Sequence, residues 1–278
     1  MKTEKLFIFD YSGTLSLQSV LFGRRDSLQS ALEKSGLASL GVTPSMFWEE
    51  IVNPTWLEGS TTPIGYKRVL LRRLREETGF PHPGNQQLTD EALQRAAAAF
   101  VDSYLKSSRM EESWRPLLRK LLYRRDVCTI IATDHYAEAT PAILKFLAEW
   151  DLPALPANET YNSPRPAALI VANSADLGAH KASACFWQKI KSGLDLQNLQ
   201  EIFLVDDFGY NEQEGDAYGE AKQVEKRLEQ TTRLLRDVFG VAPSIFRFFL
   251  ERKNDPRTYE ELMVETASFI DSFLERKI

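Results

Sequence analysis

Four short apolar runs constrain this chain more than any other feature: residues 6–9, 127–132, 169–172 and 202–205. Each is nearly continuous in hydrophobicity instead of alternating. A strand with alternating polarity keeps one wet face, whereas a continuous run is covered on both faces. Helical periodicity fills the intervals, so the predicted fold class is α/β: a Rossmann-like parallel sheet, built from right-handed crossovers and flanked by helices. Every run ends on polar residues, namely Asp10, Thr133, Asn173 with Ser174, and Asp206 with Asp207. Open parallel sheets bind ligands beyond the carboxyl ends of their strands. The four polar ends therefore mark one candidate active site.

The interval between the first and second runs is too long for a single crossover. From about Gln18 to Glu112 it reads as helices throughout. One predicted helix spans Pro63 to Thr78 with Leu70, Leu71 and Leu74 inward. Another begins at Thr89 and carries Leu93, Ala96, Phe100, Tyr104 and Leu105 on its buried face. This predicts an all-helical cap over residues 18–112, inserted into a core made of residues 1–17 and 113–278. Within the cap, Trp56 to Thr62 contains Gly59 and several hydroxyls and reads as a flexible turn able to reach the substrate. Past the fourth run, a long helix with Ala221, Val224, Leu228, Leu235 and Val238 inward stops at Gly240. Asp255 and Pro256 read as the start of a last helix. Its buried face would hold Leu262, Met263, Thr266, Phe269, Ile270, Phe273 and Leu274.

Composition closes off other classes. With 43% hydrophobic residues the chain can build a core, and 34 basic against 39 acidic side chains leave a formal charge of −5. That balance argues against a protein whose main work is gripping nucleic acid or an anionic membrane. The basic run Lys67, Arg68, Arg72, Arg73 and Arg75 alternates with leucines, so it reads as the wet face of a cap helix. Two cysteines, Cys128 and Cys185, are too few for a disulfide framework and fit packing positions. No leader or membrane-spanning run stands out, and the expectation is a soluble, cytoplasmic chain in which the Asn158 sequon is idle. Oligomeric state is not legible.

The strand ends carry a coherent set of groups. Asp10 closes a buried strand and enters the turn Tyr11-Ser12-Gly13-Thr14, which presents a carboxylate as nucleophile or metal ligand. Thr133 offers a hydroxyl to an anionic oxygen. Lys181 follows the third run at the start of a helix and brings positive charge. Asp206 and Asp207 add the hard oxygens that suit Mg²⁺, which binds through one or two carboxylates plus water and phosphate. Together these are the parts for phosphoryl transfer through an aspartyl-phosphate.

In this the chain resembles the haloacid dehalogenase (HAD) superfamily, mostly Mg²⁺-dependent phosphatases. The matching motifs are Asp10-Tyr11-Ser12-Gly13-Thr14, the strand-closing Thr133, the segment from Ser174 to Lys181, and Val205-Asp206-Asp207. The resemblance implies Asp10 as nucleophile, with Asp10, the Ser12 carbonyl and Asp207 holding the metal. It implies that Thr133 and Lys181 grip the phosphoryl group and that Asp206 aims Lys181. Ser12, Thr14 and Asp134 would face a small phosphorylated substrate.

Three positions depart from the family pattern: Ser12, Asn211 and Ala182. Ser12 stands where phosphatases carry the Asp that protonates the leaving oxygen, work worth about 10²–10⁴ in rate. Three readings follow. The chain is a slow or specialised phosphohydrolase, in which a good leaving group or a neighbour such as Asp134 or His135 covers the loss. It is a retired enzyme kept as a binding or assembly module. Or it is a dehalogenase-type hydrolase, which would leave Asp206 and Asp207 beside Asp10 with no cation between them. His135 and His180 read as solvated or hydrogen-bonded bystanders.

Overall fold

The computed structural model describes residues 3–76, 90–162, 168–194, 196–212, 220–250 and 259–276. Six parallel strands form one sheet: β1 (Lys5–Asp10), β2 (Val127–Thr133), β3 (Ala154–Pro156), β4 (Leu169–Asn173), β5 (Glu201–Asp206) and β6 (Pro243–Arg247). Their order is β3-β4-β2-β1-β5-β6. The four apolar runs are the four inner strands, in which every residue but Glu201 is buried. Short β3 and β6 are edge strands, half-buried along most of their length, and each carries a proline at one end, a position an edge tolerates.

Alternate residues of the inner strands feed two separate cores. Phe7, Phe9, Ile131, Val171 and Phe203 pack on one side against Trp114, Leu118, Ile143 and the C-terminal helix Tyr259–Glu275. Leu6, Ile8, Ile130, Ile170 and Leu204 pack on the other against Phe186, Trp187 and helix Ala221–Phe239. Each such side chain, fully buried, stabilises the fold by about 1.5–3 kcal/mol relative to exposure. Helix Ala221–Phe239 ends at Gly240 in the left-handed conformation, φ 78°. Phe269, expected on the buried face of the last helix, is instead 52% exposed at its flank and leans on Phe246. The expected helix starts at Thr89 and at Asp255–Pro256, and the expected end at Thr78, lie outside the described residues.

Between β1 and β2 the described chain is helical, including Arg25–Ser35, Asn53–Thr61, Tyr66–Glu76 and Asp90–Ser107. These helices build a third core of Leu28, Phe47, Ile51, Leu70, Ala97 and Phe100. Tyr136, just past β2, joins it and stacks on Tyr66 with ring centres 4.1 Å apart. The turn expected at Trp56–Thr62 is a correction: residues 56–61 belong to helix Asn53–Thr61, and only Thr62 leaves it in extended backbone. Gly59 does not break the chain there; any Cβ would run into the Tyr136 ring, so the glycine permits close approach. Glu138 accepts the Tyr66 and Lys67 N–H groups at 2.7 and 3.2 Å. It thereby satisfies first-turn donors of the next helix from the sheet side.

The basic run is largely committed. Arg72 pairs with Glu58, Arg75 with Asp90, and Arg73 donates to the Glu50 carbonyl. Cys128 is buried while Cys185 is exposed, so the packing expected of both applies to Cys128. Among the described residues, no helix is long and apolar enough to cross a membrane.

Candidate active site

Register brings the chemistry together. Asp10 pairs with Ala132 across β1 and β2, and Phe9 with Val205 across β1 and β5. Asp10 and Asp206 therefore close adjacent strands at one height, and Thr133 closes the third strand one residue further along. Carboxylate oxygens of Asp10, Asp206 and Asp207 lie within 4.8 Å of one another, all buried. Lys181 reaches into them, donating to Asp10 Oδ1 at 2.5 Å and Asp206 Oδ2 at 2.9 Å. It does not begin a helix as expected; it sits in the turn before helix Ala184–Gly193. Its N–H goes to Asp134 Oδ1 and its carbonyl accepts Trp187 Nε1–H, which fixes the backbone that aims the ammonium.

The turn after β1 is built around Gly13, at φ 80°, where a Cβ would lie 2.5 Å from Asp207 Oδ2. Both the dihedral and the space demand glycine. Thr14, expected to face the substrate, is fully buried outside the cavity lining, and its hydroxyl accepts the Asp207 N–H at 3.2 Å. Asn211 explains the second departure from the acidic pattern. Its side-chain amide donates to the Gly13 and Phe248 carbonyls, its carbonyl accepts the Leu250 N–H, and its backbone N–H binds Asp207 Oδ2. A carboxylate has no N–H to donate to those two carbonyls.

Electrostatically the cluster is incomplete. Three buried carboxylates face one ammonium. Burial raises Asp10 well above the carboxylate range; Lys181 opposes this, and the two neighbouring acids reinforce it. Burial, with Asp206 alongside, pushes Asp207 up to about 7. Asp10 Oδ2 is buried and accepts no hydrogen bond. An orphaned carboxylate oxygen within a ring of hard ligands fits a divalent cation, whose charge would balance the excess.

The Asp207 carboxyl makes metal-free stability depend on pH. Its folded pKa of about 7 exceeds the ordinary 3.8, so without metal the folded state holds a proton that the unfolded chain releases. Metal-free stability attributable to Asp207 is thus present at low pH and lost as pH rises from about 4 through 7. Mg²⁺ should therefore raise Tm more at pH 8 than at pH 5, and Asp207→Asn should shrink that difference. Thermal unfolding in Mg²⁺ against EDTA measures it, and equal Tm values at pH 8 would remove the metal.

The acids form one end of a cavity of about 290 Å³, where Ser12, Thr133 and Asp134 join them. Phe22, Phe47, Trp48, Trp56, Tyr104 and Tyr136 line the remainder. His135 is buried against this wall. Its Nε2 meets Tyr104 Oη at 2.7 Å, its Nδ1 accepts the Tyr136 N–H, and burial lowers it to about 4. It is a neutral, hydrogen-bonded group. His180 bonds Ser60 Oγ at 2.6 Å and stacks near Trp56, outside the lining. Sequence reasoning missed Glu212, which lines the cavity with Oε1 3.5 Å from Ser12 Oγ. Its place five residues beyond Asp207 was the available signal.

No family model matches the chain, and no curated protein matches it. Among solved structures, it is similar to the 2-haloacid dehalogenase of Pseudomonas syringae pv. Tomato DC3000, at 15% identity and TM-score 0.51 over 98% of this chain and 100% of that one. A predicted HAD-like family hydrolase of Porphyromonas gingivalis aligns at 14% identity and TM-score 0.47, over 99% and 100%. YfnB of Bacillus subtilis, described as a HAD-hydrolase in a structure bound to magnesium, aligns at 14% identity and TM-score 0.44, over 78% and 86%. The chain has a HAD-like fold.

Proposed function

We propose that this chain is a Mg²⁺-dependent phosphohydrolase acting on a small phosphorylated molecule through an aspartyl-phosphate on Asp10. One observation carries the reading: Asp10 lies buried between Lys181 and two further carboxylates, lining a cavity, with one oxygen accepting no hydrogen bond. The Asp10 carboxylate attacks phosphorus, forming an O–P bond as the ester P–O bond breaks and the alcohol leaves. Lys181 and Thr133 hold the phosphoryl oxygens, and Asp206 keeps Lys181 protonated and aimed. Water then attacks the phosphorus, releasing phosphate and restoring Asp10. Asp10, Asp207 and the Ser12 carbonyl would hold the metal, which supplies charge neutralisation for the phosphoryl oxygens. Residues 18–112 act as the cap that closes the cavity over the leaving group.

Ser12 cannot protonate that leaving group near neutral pH. Its hydroxyl is hydrogen-bonded with Ser19 Oγ at 2.9 Å, and Glu212 is the carboxyl beside it. Glu212 supplies the proton for poor leaving groups, and good ones depart without it. The serine also favours a second reading, a retired enzyme kept as a binding module. Turnover of p-nitrophenyl phosphate in Mg²⁺ and in EDTA tests the first. Release that requires Mg²⁺ supports it; inertness towards a broad phosphate panel supports the second. Halide release from a 2-haloacid without metal would make the chain a dehalogenase.

A further inference from the structure

The wall of the cavity facing away from the acids is built of rings that hold each other. Trp56 meets Tyr136 edge-on at 5.5 Å, Phe47 meets Trp48 at 5.5 Å, and Phe22 meets Tyr104 at 5.3 Å. Tyr136 in turn stacks on Tyr66. Such mutual packing presents a preformed apolar surface. Val20, Leu28 and Val52 fill between the rings.

Charge on this lining is one-sided. Apart from the acid cluster it carries Asp134 and Glu212, and Arg227 is its cation among the described residues, with Nε on the Phe208 carbonyl at 3.0 Å. His135 adds no positive charge at neutral pH. A substrate with a second phosphate or a carboxylate would find little to neutralise it there. Polar groups on the lining, such as Asn53 and Gln223, are few beside its rings and aliphatic side chains, so a polyhydroxylated alcohol would bury several hydroxyls against ring faces at a desolvation cost only partly repaid. A flat apolar ring loses nothing, and the volume holds roughly ten waters' worth of substrate, enough for a phosphoryl group and one or two rings.

We infer that the substrate is a phosphate monoester whose alcohol carries a flat, apolar, uncharged ring, docked against the Phe47–Trp48–Trp56–Tyr136 wall. The inference rests on the phosphohydrolase reading and names the substrate class of the same site. The test compares esters of similar alcohols, so that leaving-group chemistry does not decide the outcome: 2-phenylethyl phosphate against glycerol phosphate and choline phosphate, with Mg²⁺. The expected result is a preference of about 10²-fold in kcat/KM for the phenylethyl ester, from burial of the ring. In Trp48→Ala that ratio should fall roughly tenfold. Tryptophan fluorescence of the wild type, titrated with 2-naphthol, reads the wall without any chemistry.

A ring preference in turnover together with saturable quenching by 2-naphthol that weakens in Trp48→Ala upholds the inference. Quenching with no ester turned over overturns the phosphohydrolase reading and the ester substrate with it, and leaves only a wall that binds rings. Turnover of esters with no ring preference and no naphthol binding overturns the inference and leaves that reading standing. A preference for choline phosphate also overturns it, because the wall would then be selecting a cation through its ring faces.

Discussion

Asp10→Asn is expected to slow Mg²⁺-dependent hydrolysis of p-nitrophenyl phosphate by about 10⁴-fold or more, as loss of a member of the catalytic unit does in other hydrolases. The amide keeps the shape of the carboxylate but has no charge with which to attack phosphorus. The fold should survive, because Lys181 keeps its partner Asp206 at 2.9 Å. Stability supplies a second readout with its own sign. Burial raises the Asp10 pKa, so in metal-free protein at neutral pH its ionised form costs free energy. A neutral isostere removes that cost, and Tm in EDTA should stay level or rise while turnover disappears. A structural aspartate would show the opposite pairing, lower Tm with a proportionate loss of rate. Equal rates in the two proteins would remove Asp10 as nucleophile.

The residues of that experiment were legible because each closes an inner strand or a turn beside one. Continuous apolar runs located β1, β2, β4 and β5, since strands covered on both faces leave no alternation to misread. Edge strands β3 and β6 escaped for the complementary reason. They are short, half-buried along most of their length and bounded by Pro156 and Pro243, which read as loop. Helicity between β1 and β2 was legible from periodicity, but the role of Gly59 was not. Seen in sequence it marks a turn; in the structure it is the place where a helix runs against Tyr136, and that contact joins residues far apart in the chain.

Thr14 and Glu212 show opposite limits of a motif. Thr14 sits inside a recognisable motif, yet its hydroxyl is spent on the Asp207 backbone. Glu212 sits outside any motif, yet the Asn211 hydrogen bonds to Gly13, Phe248 and Leu250 hold the turn that brings it to the cavity. Three-way bonding between distant segments has no local signature. The same limit applies to Lys181, whose identity was readable while its position before the helix was not.

Ser12→Asp is the sharpest probe of what this site has become: it should gain about 10²–10⁴ in kcat on alkyl phosphates where the native site has no proton donor, and add little where Glu212 already serves, with little change on p-nitrophenyl phosphate. Ser12 Oγ marks where the introduced carboxyl would begin: Ser19 Oγ is 2.9 Å away and Glu212 Oε1 is 3.5 Å away. Two carboxyls this close cannot both ionise freely, so the pair would retain a proton to higher pH than either alone, which suits an acid. The nitrophenyl ester needs no such proton and serves as the internal control. The Glu212→Gln variant of the native chain then separates the readings. If Glu212 already handles the proton, its amide should slow alkyl phosphates and spare the nitrophenyl ester, while Ser12→Asp adds little. If Glu212→Gln changes nothing and Ser12→Asp converts an inert chain into a phosphatase, the native site keeps nucleophile, lysine and metal ligands without turnover. That outcome would make the ring-lined cavity a receptor for a phosphorylated ligand that is held and not hydrolysed.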